Sequence, residues 1–400
     1  MLVDMLVDNR PSWFYKEAPE GSMALFCQCT LSRNLPDVPF VRYAADQDKA
    51  MVEERILQVL DNLNLKSKGK YYSFADLDPV EVRFLAERQL ITQDLISGSG
   101  PRGVYVAADQ NVSIMINALD HVTIRVLCAG LQLQECWTQA VYYEENLNKI
   151  LGFAFDEQLG YLTAQLRNVG TALKSCVLLH LPALAMTGSL QKHAERIAGQ
   201  RLALQGITAG SESQSETLKS DKKEKLLLSS PIPDLESFEA RIDQSLYSNM
   251  DGILPGTLKA SLGDMYLLVN ESTLGLSEDE ILFHVRHAAS KIITEERGER
   301  KRLMAESKRS LEDKIGRARG IASGARLLGF AEGLQLLSAI RLGVDLHLDN
   351  AFQPVELNTL MLQSQGAQLE MAKGRACDAY TLNMERAELF RSRFSVGMER

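Results

Sequence analysis

The hydrophobic pattern of this chain changes character along its length, and that change limits the folds that the chain can adopt. Up to Asn270, short apolar or β-branched runs end at turn residues, which is the pattern of β-strands. Helical patterns, with apolar residues repeating on one face, lie between these runs. Strands and helices that are mixed without strict alternation predict an α+β fold with an antiparallel or mixed sheet.

The same patterns assign individual elements. The predicted strands cover residues 23–31, 104–107, 112–117, 122–127 and 265–270. The predicted helices of this part cover residues 46–63, 79–90, 132–151 and 169–181. The helix at 79–90 begins with a proline, which suits the first turn of a helix. The last two helices are long enough to cover a sheet.

A compositional break begins at Ser211. Residues 211–225 are rich in Ser, Glu, Lys and Gln, so we expect a solvated, mobile insertion that extends over 211–259. Within it, residues 235–247 have the pattern of one short helix. Regular patterning returns at Gly263, and Ser277 with Glu280 forms a capping box that predicts a helix start.

The last part of the chain has only helical patterns. From Glu295 onward, the predicted helices cover 311–328, 332–342, 354–368 and 382–394. Short connections between them are typical of a helical bundle. We therefore predict one α+β domain over 1–210 and 260–300, the insertion at 211–259, and an all-helical C-terminal domain over 301–400.

Charge and composition exclude several functional classes. A net charge of −8 gives no general field to attract nucleic acid, and no stretch of roughly 18 uncharged apolar residues exists to span a membrane. The N-terminus lacks the basic region of a secretory signal, so we expect a cytoplasmic protein. The six cysteines are scattered, and the Cys27-x-Cys29 pair has no matching ligands nearby. We therefore predict free structural thiols and no metal site.

Several segments, in the same order along the chain, carry a resemblance to a known family. They are residues 31–35 (Leu-Ser-Arg-Asn-Leu), 120–121 (Asp-His), 159–163 (Leu-Gly-Tyr-Leu-Thr), 168–171 (Asn-Val-Gly-Thr), 180–184 (His-Leu-Pro-Ala-Leu) and 273–281 (Thr-Leu-Gly-Leu-Ser-Glu-Asp-Glu-Ile). Together they resemble the ATP:guanido phosphotransferase, or phosphagen kinase, superfamily. Residues 341–346 (Arg-Leu-Gly-Val-Asp-Leu) and the terminal helices resemble its bacterial protein-arginine kinase branch, of the McsB type.

The resemblance implies a fold, a cofactor and a chemistry. The fold would be a phosphagen-kinase-like domain of the glutamine-synthetase/guanido-kinase type, with a mostly antiparallel sheet flanked by helices, joined to the all-helical domain. The cofactor would be ATP with Mg²⁺. Because guanidinium is a poor nucleophile and ATP is highly charged, arginines must hold the phosphates while carboxylates orient and deprotonate the guanidinium.

The catalytic side chains of the family are missing at the matching positions. In its Asn-Glu-Glu-Asp-His-Leu-Arg motif the second Glu is the base, and Leu119 stands there, while Asp120 remains as a weak catalytic candidate. The second catalytic Glu matches Gly210, and the active-site cysteine matches Gln165. An apolar Leu119 can neither accept a proton nor bind a guanidinium group.

The nucleotide-binding positions of the family are also changed. Its phosphate arginines match Gln28, Thr30, Thr123 and Gln205, and its nucleotide-contacting histidine matches Gln89. Its Arg-Ala-Ser-Val phosphate turn becomes Lys174-Ser175-Cys176-Val177, in which the lysine keeps a charge but loses the bidentate fork. Arg33, Arg125 and Arg167 could join Lys174 in a remodelled anion site.

Simpler roles compete with these interpretations. Asp120 and His121 could serve only to hydrogen-bond the fold, and His180, between leucines and a proline, is more typical of a core histidine. The basic run at 297–302 is flanked by glutamates and indicates a solvated helix face rather than a nucleic-acid site. The family's allosteric Arg-Asp-x-x-Arg-Ala motif aligns with residues 382–387 and loses its first two members.

Three functional hypotheses follow. The first is a pseudokinase with a regulatory or binding role in protein quality control. By resemblance, its partner would be a related kinase, a zinc-binding activator or a Clp-type ATPase, with a homodimer formed through the C-terminal domain. The second is an active protein-arginine kinase whose carboxylates come from Asp120 or the acidic insertion. The third is a sensor of nucleotide or phosphoarginine.

Overall fold

The computed structural model of the chain describes residues 3–63, 68–208, 254–256, 258 and 261–395. The predicted insertion at 211–259 falls outside these residues except for 254–256 and 258. The predicted short helix at 235–247 and the family's second glutamate position, Gly210, also lie outside them.

A nine-stranded sheet forms the centre of the described chain. Each pair of neighbouring strands in it is antiparallel, so the α+β prediction with a mostly antiparallel sheet is confirmed. The strands are β1 (Ala24–Arg33), β2 (Gly69–Ser73), β3 (Gly103–Ala107), β4 (Val112–Ile116), β5 (Val122–Ala129), β8 (Leu173–His180), β9 (Leu202–Thr208), β10 (Leu254–Gly256) and β11 (Met265–Asn270), and β6 (Phe155–Asp156) pairs with β7 (Gly160–Tyr161) in a separate hairpin. Their order across the sheet is β10-β9-β11-β8-β1-β5-β4-β3-β2.

The prediction of a helix over 169–181 is wrong. Leu173–His180 form strand β8, which pairs with β1 on one side and β11 on the other. Most of this strand is buried, because one face of the sheet packs on helices and much of the other on the C-terminal helices. A strand that is buried on both faces has a continuous apolar run, which periodicity alone does not distinguish from a buried helix.

The helices surround the sheet and make up the C-terminal part. They are α1 (Asp4–Asp8), α2 (Ser12–Tyr15), α3 (Asp46–Asn62), α4 (Pro79–Glu87), α5 (Gln93–Ser97), α6 (Leu133–Leu151), α7 (Pro182–Met186), α8 (Leu190–Ala198), α9 (Glu278–Gly324), α10 (Phe330–Asp345), α11 (Pro354–Gln363), α12 (Gly366–Lys373) and α13 (Ala379–Phe394). The predicted capping box is present, since the Ser277 amide donates to Glu280 Oε2 at 2.8 Å. Within the described residues, no helix is both long enough and apolar enough to cross a membrane.

Helix α9 joins the two predicted domains. It runs without interruption through position 301, the predicted boundary, and leaves helical geometry only at Ser307. Its first half packs Ile281, Val285 and Ile292 into the core beneath the sheet, together with α3 and α6. Its last turns, through Ala322, pack with α10, α11 and α13.

The two faces of the sheet have different coverings. One face packs on α3, α6 and α9 and holds the largest core cluster. On the other face, Phe26, Leu127 and Leu178 lie on adjacent strands and pack on the C-terminal helices. The C-terminal helices therefore cover only one end of this second face. Nearer the β2 edge, Val104, Val106 and Met115 of this face pack on α4 and α5. The other ends of β1, β5 and β8 are left uncovered and border a cavity.

Buried polar side chains connect the sheet to the C-terminal helices. Arg300 of α9 donates to Glu296 at 2.6 Å and to Asp345 of α10 at 2.6 Å. His180, at the end of β8, contacts the Ser338 hydroxyl of α10 through Nε2 at 3.0 Å. Burial and the nearby cations lower the pKa of His180 well below its usual value, so this histidine is neutral. The prediction that His180 is a core histidine agrees with this placement.

Candidate functional site

A cavity of about 330 Å³ opens over the uncovered end of the second sheet face. Its floor is made by β1, β5 and β8, and its walls by α5, the turn at 117–121 and the segment 165–168. This volume is at the lower end of the range for small-molecule sites, roughly 300–1,000 Å³. The cavity is therefore large enough for a small ligand.

Most of the site residues predicted from the sequence meet in this cavity. Side chains on alternate positions of a strand share a face, so residues two apart on β1, β5 and β8 face the same space. The predicted residues that line the cavity are Gln28, Thr30, Gln89, Leu119, Thr123, Arg125, Gln165, Arg167, Lys174 and Cys176.

Other predicted residues do not line it. Ser175 and Val177 lie on the opposite face of β8, where both are completely buried. The Ser175 amide donates to Asn270 Oδ1 at 2.7 Å, and Val177 belongs to the core beneath the sheet. Gln205 lies opposite Leu267 on the cavity face but outside the lining. The phosphate turn of the family thus contributes only Lys174 and Cys176 to the cavity.

Arg33 is likewise occupied elsewhere. Its Nε donates to Glu144 of α6 at 2.8 Å, and its guanidinium lies 3.4 Å from the ring centre of Tyr161. The arginine is 2% exposed and lies outside the cavity lining. Arg33 therefore joins β1 to neighbouring elements and is not placed as an anion contact of this cavity.

The hairpin turn between β4 and β5 positions Leu119. Asn117 has a positive φ of 54°, a conformation that asparagine tolerates better than most residues. Its side-chain amide donates to the carbonyls of Lys49 and Pro101 at 2.8 and 2.9 Å, which fixes the turn. Leu119 then reaches the cavity wall as an apolar, half-buried side chain.

Asp120 points away from the cavity and is held by the fold. Its Oδ1 accepts from Asn34 Nδ2 at 2.6 Å and from the Ala164 amide at 2.7 Å. Burial raises the pKa of this carboxyl. His121 has a similar role, since its Nδ1 accepts from the Leu35 amide at 3.1 Å. Both residues anchor the turn to the segment that follows β1.

A row of polar side chains crosses the cavity floor. Thr30 of β1 lies directly opposite Arg125 of β5 on one side and Lys174 of β8 on the other. Arg125 Nη1 donates to the Gln89 carbonyl at 2.8 Å, and Gln89 itself has a positive φ of 58°. Burial lowers the pKa of Arg125 to about 10, so it remains a cation at neutral pH.

The charges around this row are predominantly positive. Arg125, Lys174 and Arg167 line the cavity together with one carboxylate, Asp94 of α5. Partial burial and the neighbouring Arg167 lower the pKa of Lys174. Sequence reasoning did not find Asp94, because it belongs to no motif and only the packing of the short α5 brings it to the cavity. The result is an anion-attracting cavity in a chain with a net charge of −8.

Similarity to solved structures defines the class of the fold. Over 72% of this chain and 69% of its own length, lombricine kinase superposes with a TM-score of 0.52 at 16% identity. The duplicated taurocyamine kinase from Schistosoma mansoni, with bound transition state analog components, gives a TM-score of 0.51 at 18% identity over 69% of this chain. This chain spans only 33% of that duplicated protein. The predicted phosphagen-kinase-like fold is confirmed.

Sequence comparisons identify the family. The profile of the ATP:guanido phosphotransferase C-terminal catalytic domain matches residues 51–220, and that of the protein-arginine kinase McsB C-terminal domain matches residues 308–400. A protein-arginine kinase of Symbiobacterium thermophilum is 31% identical over 391 residues, covering 96% of both chains. One from Brevibacillus brevis is 30% identical over 387 residues, covering 96% of this chain and 95% of its own. The chain belongs to the protein-arginine kinase family.

Proposed function

We propose that this chain is a pseudokinase, a member of the protein-arginine kinase family that binds ligands and partners without transferring phosphate. The main support is the cavity wall at Leu119, where an apolar side chain occupies the position of the base. Loss of a positioned base costs roughly 10²- to 10⁴-fold in rate. Loss of one arginine on the transferring phosphate costs roughly 10³- to 10⁵-fold.

The family's nucleotide, ATP with Mg²⁺, fits this cavity only in part. Arg125 and Lys174 could hold phosphoryl oxygens, and Thr30 offers a hydroxyl between them. Gln28 and Thr123, however, stand at lining positions where the family has arginines. When bound, Mg²⁺-ATP supplies the phosphoryl group. The residues of this chain would hold that group without activating a guanidinium toward it.

In this proposal, the biological role is taken from the family resemblance. A pseudokinase of this type would act in protein quality control in the cytoplasm, as a regulatory or binding partner. Its partner would be a related kinase, a zinc-binding activator or a Clp-type ATPase. It could also form a homodimer through its C-terminal domain. Co-purification of the full chain with each candidate tests these assignments.

Phosphoarginine detection tests the central claim. The purified chain is incubated with Mg²⁺-ATP and a protein substrate, and phosphoarginine is measured by mass spectrometry under conditions that preserve the acid-labile P–N bond. An active protein-arginine kinase serves as the positive control. We expect no phosphoarginine above background with this chain. ATP-dependent phosphoarginine from the unmodified chain would overturn the proposal.

One observation favours a second candidate, an active kinase with a relocated carboxylate. Among the described residues that line the cavity, Asp94 is the only carboxylate. If the unmodified chain formed phosphoarginine, Asp94→Asn would test whether Asp94 is the carboxylate that the reaction needs. Its matched control is Asp109→Asn, on an exposed aspartate away from the cavity lining. Loss of turnover in Asp94→Asn alone would assign the catalytic carboxylate to Asp94.

A further inference from the structure

A second cavity, of about 770 Å³, opens between the C-terminal helices and the N-terminal segment. Its walls come from the end of α9, the loop at 348–352, helix α11 and the last turn of α13, with Arg10 at one side. The volume lies within the range of small-molecule sites, roughly 300–1,000 Å³. Residues 382–387, which align with the family's allosteric motif and are all described, do not line it. This cavity is therefore a separate candidate site.

A buried carboxylate lines this second cavity. Asp349 is 5% exposed, and its Oδ1 accepts from Arg319 Nη1 at 3.1 Å and from the Ala351 amide at 2.9 Å. Within the described residues, its Oδ2 is buried and has no hydrogen-bond partner. A buried acceptor without a donor is unfavourable. An N–H group of a ligand would therefore stabilise this part of the cavity.

The ion pair between Asp349 and Arg319 decides which kind of donor fits. Because Arg319 already balances the charge of Asp349, a second cation at Oδ2 would be repelled by the neighbouring guanidinium. A neutral N–H donor meets no such repulsion. Phe352, a partly exposed residue of the same lining, has its ring centre 6.0 Å from the Arg319 guanidinium carbon and offers a surface for stacking. This part of the cavity therefore fits a neutral, planar group with N–H donors.

Two exposed arginines lie together in another part of the lining. The guanidinium carbon of Arg10 lies 5.1 Å from the ring centre of Tyr15. Burial raises the pKa of Tyr15, and the positive charges of Arg10 and Arg393 oppose that rise, so both cations lie near this tyrosine. Within the described part of the chain, neither arginine forms an ion pair. Two such guanidinium groups suit a phosphate, whose oxygens accept their paired N–H donors.

We propose that this cavity binds a guanine nucleotide, with the base at Asp349 and Phe352 and the phosphates at Arg10 and Arg393. The Watson–Crick edge of guanine has two neighbouring N–H donors, on N1 and on the 2-amino group, which a carboxylate oxygen can accept. Adenine has an unprotonated N1 next to its amino group, and a carboxylate repels that lone pair. The site is independent of the proposed function, since among the described residues none lines both this cavity and the cavity over β1, β5 and β8.

Calorimetric titration of the full chain at low ionic strength tests the ligand class. The probes are GDP, inosine diphosphate, ADP and L-arginine, and GDP should bind most tightly. Inosine diphosphate lacks the 2-amino group, so it should bind roughly tenfold more weakly, as loss of one hydrogen bond to a charged acceptor predicts. L-arginine should bind most weakly, because Arg319 repels its guanidinium group.

Substitutions locate the bound nucleotide. Arg10→Gln and Arg393→Gln remove exposed cations, so each should weaken GDP binding by roughly tenfold without loss of stability. The matched control Arg309→Gln, on an exposed arginine of α9 outside the lining, should leave the affinity unchanged. Lys174→Gln, in the cavity over β1, β5 and β8, should leave it unchanged as well.

The contact between the base and Asp349 has its own test. Asp349→Asn should abolish the preference for GDP over inosine diphosphate, because the amide no longer favours the 2-amino donor. This substitution also breaks the ion pair with Arg319. If the variant does not fold, the comparison of GDP with inosine diphosphate in the unmodified chain tests the same contact.

Several results would overturn the proposed site. Absence of GDP binding at millimolar concentration would do so, and equal or tighter binding of ADP or L-arginine would overturn the assignment of guanine. A loss of GDP affinity in Lys174→Gln, with none in Arg10→Gln or Arg393→Gln, would place the nucleotide in the other cavity and overturn the inference. None of these measurements detects phosphoarginine formation, so the pseudokinase proposal stands or fails separately.

Discussion

Removal of the Glu296 carboxylate should strongly destabilise the chain. Glu296 is fully buried and joins α9 to the start of α7, since its oxygens accept from the Ala183 and Leu184 amides at 3.0 and 2.9 Å. It also accepts from Arg300 Nε at 2.6 Å. In Glu296→Ala, the two amides lose their acceptor, and among the described residues the buried Arg300 keeps only Asp345 as a charged partner.

The size of the expected loss in the free energy of unfolding follows from these lost partners. Breaking a buried ion pair by removing one member costs about 3–5 kcal/mol, because the remaining charge stays buried. The two orphaned amides move the expected loss toward the upper end of that range. Burial raises the pKa of Glu296, so the pair itself does not fully offset its desolvation. The expected loss therefore reflects the broken pair and not the intrinsic strength of the intact one.

Urea unfolding measures this loss. The free energy of unfolding of Glu296→Ala is compared with that of Glu306→Ala on the same helix. Glu306 is 64% exposed and lies 3.9 Å from Arg302, so its removal should change stability by less than about 1 kcal/mol. Similar losses in the two variants would refute the claim that the buried Glu296 carboxylate holds α9 to the start of α7.

Four other substitutions have defined outcomes. Burial lowers the pKa of His180 below the unfolded value near 6.5, so the unfolded chain binds more protons in this range. The free energy of unfolding should therefore fall as the pH drops through about 6.5. His180→Gln should make this dependence shallower in urea unfolding between about pH 5 and 7. Gly263→Ala, at a φ of 59°, should cost more than about 1 kcal/mol, whereas Gly316→Ala on α9, where an added Cβ meets nothing within 4 Å, should add about 0.5–1 kcal/mol. Arg33→Met should lower the unfolding free energy by about 3 kcal/mol in urea unfolding, because it leaves the buried Glu144 without its ion-pair partner.

The sequence predicts the elements whose hydrophobic pattern has one interpretation. Helices α3 and α6 each have a wide apolar stripe, and their observed bounds differ from the predicted ones by one residue at an end. Strand β8 was predicted as a helix because both its faces are buried, so no alternation marks it. Strand β9 was missed, since its pairing with β11 is a long-range contact that no local pattern encodes.

The family resemblance supplied positions that mostly meet in one cavity, but the sequence does not give the direction in which each side chain points. Consecutive residues of β8 point to opposite faces, so Lys174 reaches the cavity and Ser175 does not. The sequence analysis also offers Arg33 as a member of the remodelled anion site. Its side chain instead lies against Glu144 of α6. Asp94 carries no local signal, because it acts only through its position over the folded sheet.

The cavity and the C-terminal contact share the same strands, which gives the proposed pseudokinase a structural connection between the two. Phe26 lines the cavity and also packs on the C-terminal helices, and it lies two residues before Gln28 on one face of β1. On β5, Arg125 lines the cavity, and Leu127, two residues later on the same face, packs on the C-terminal helices. Packed strands transmit displacement, since interiors are close to crystal density. If Leu119 leaves the cavity without a base, as the proposed function holds, the strands are still in place through which ligand binding and C-terminal packing would influence each other.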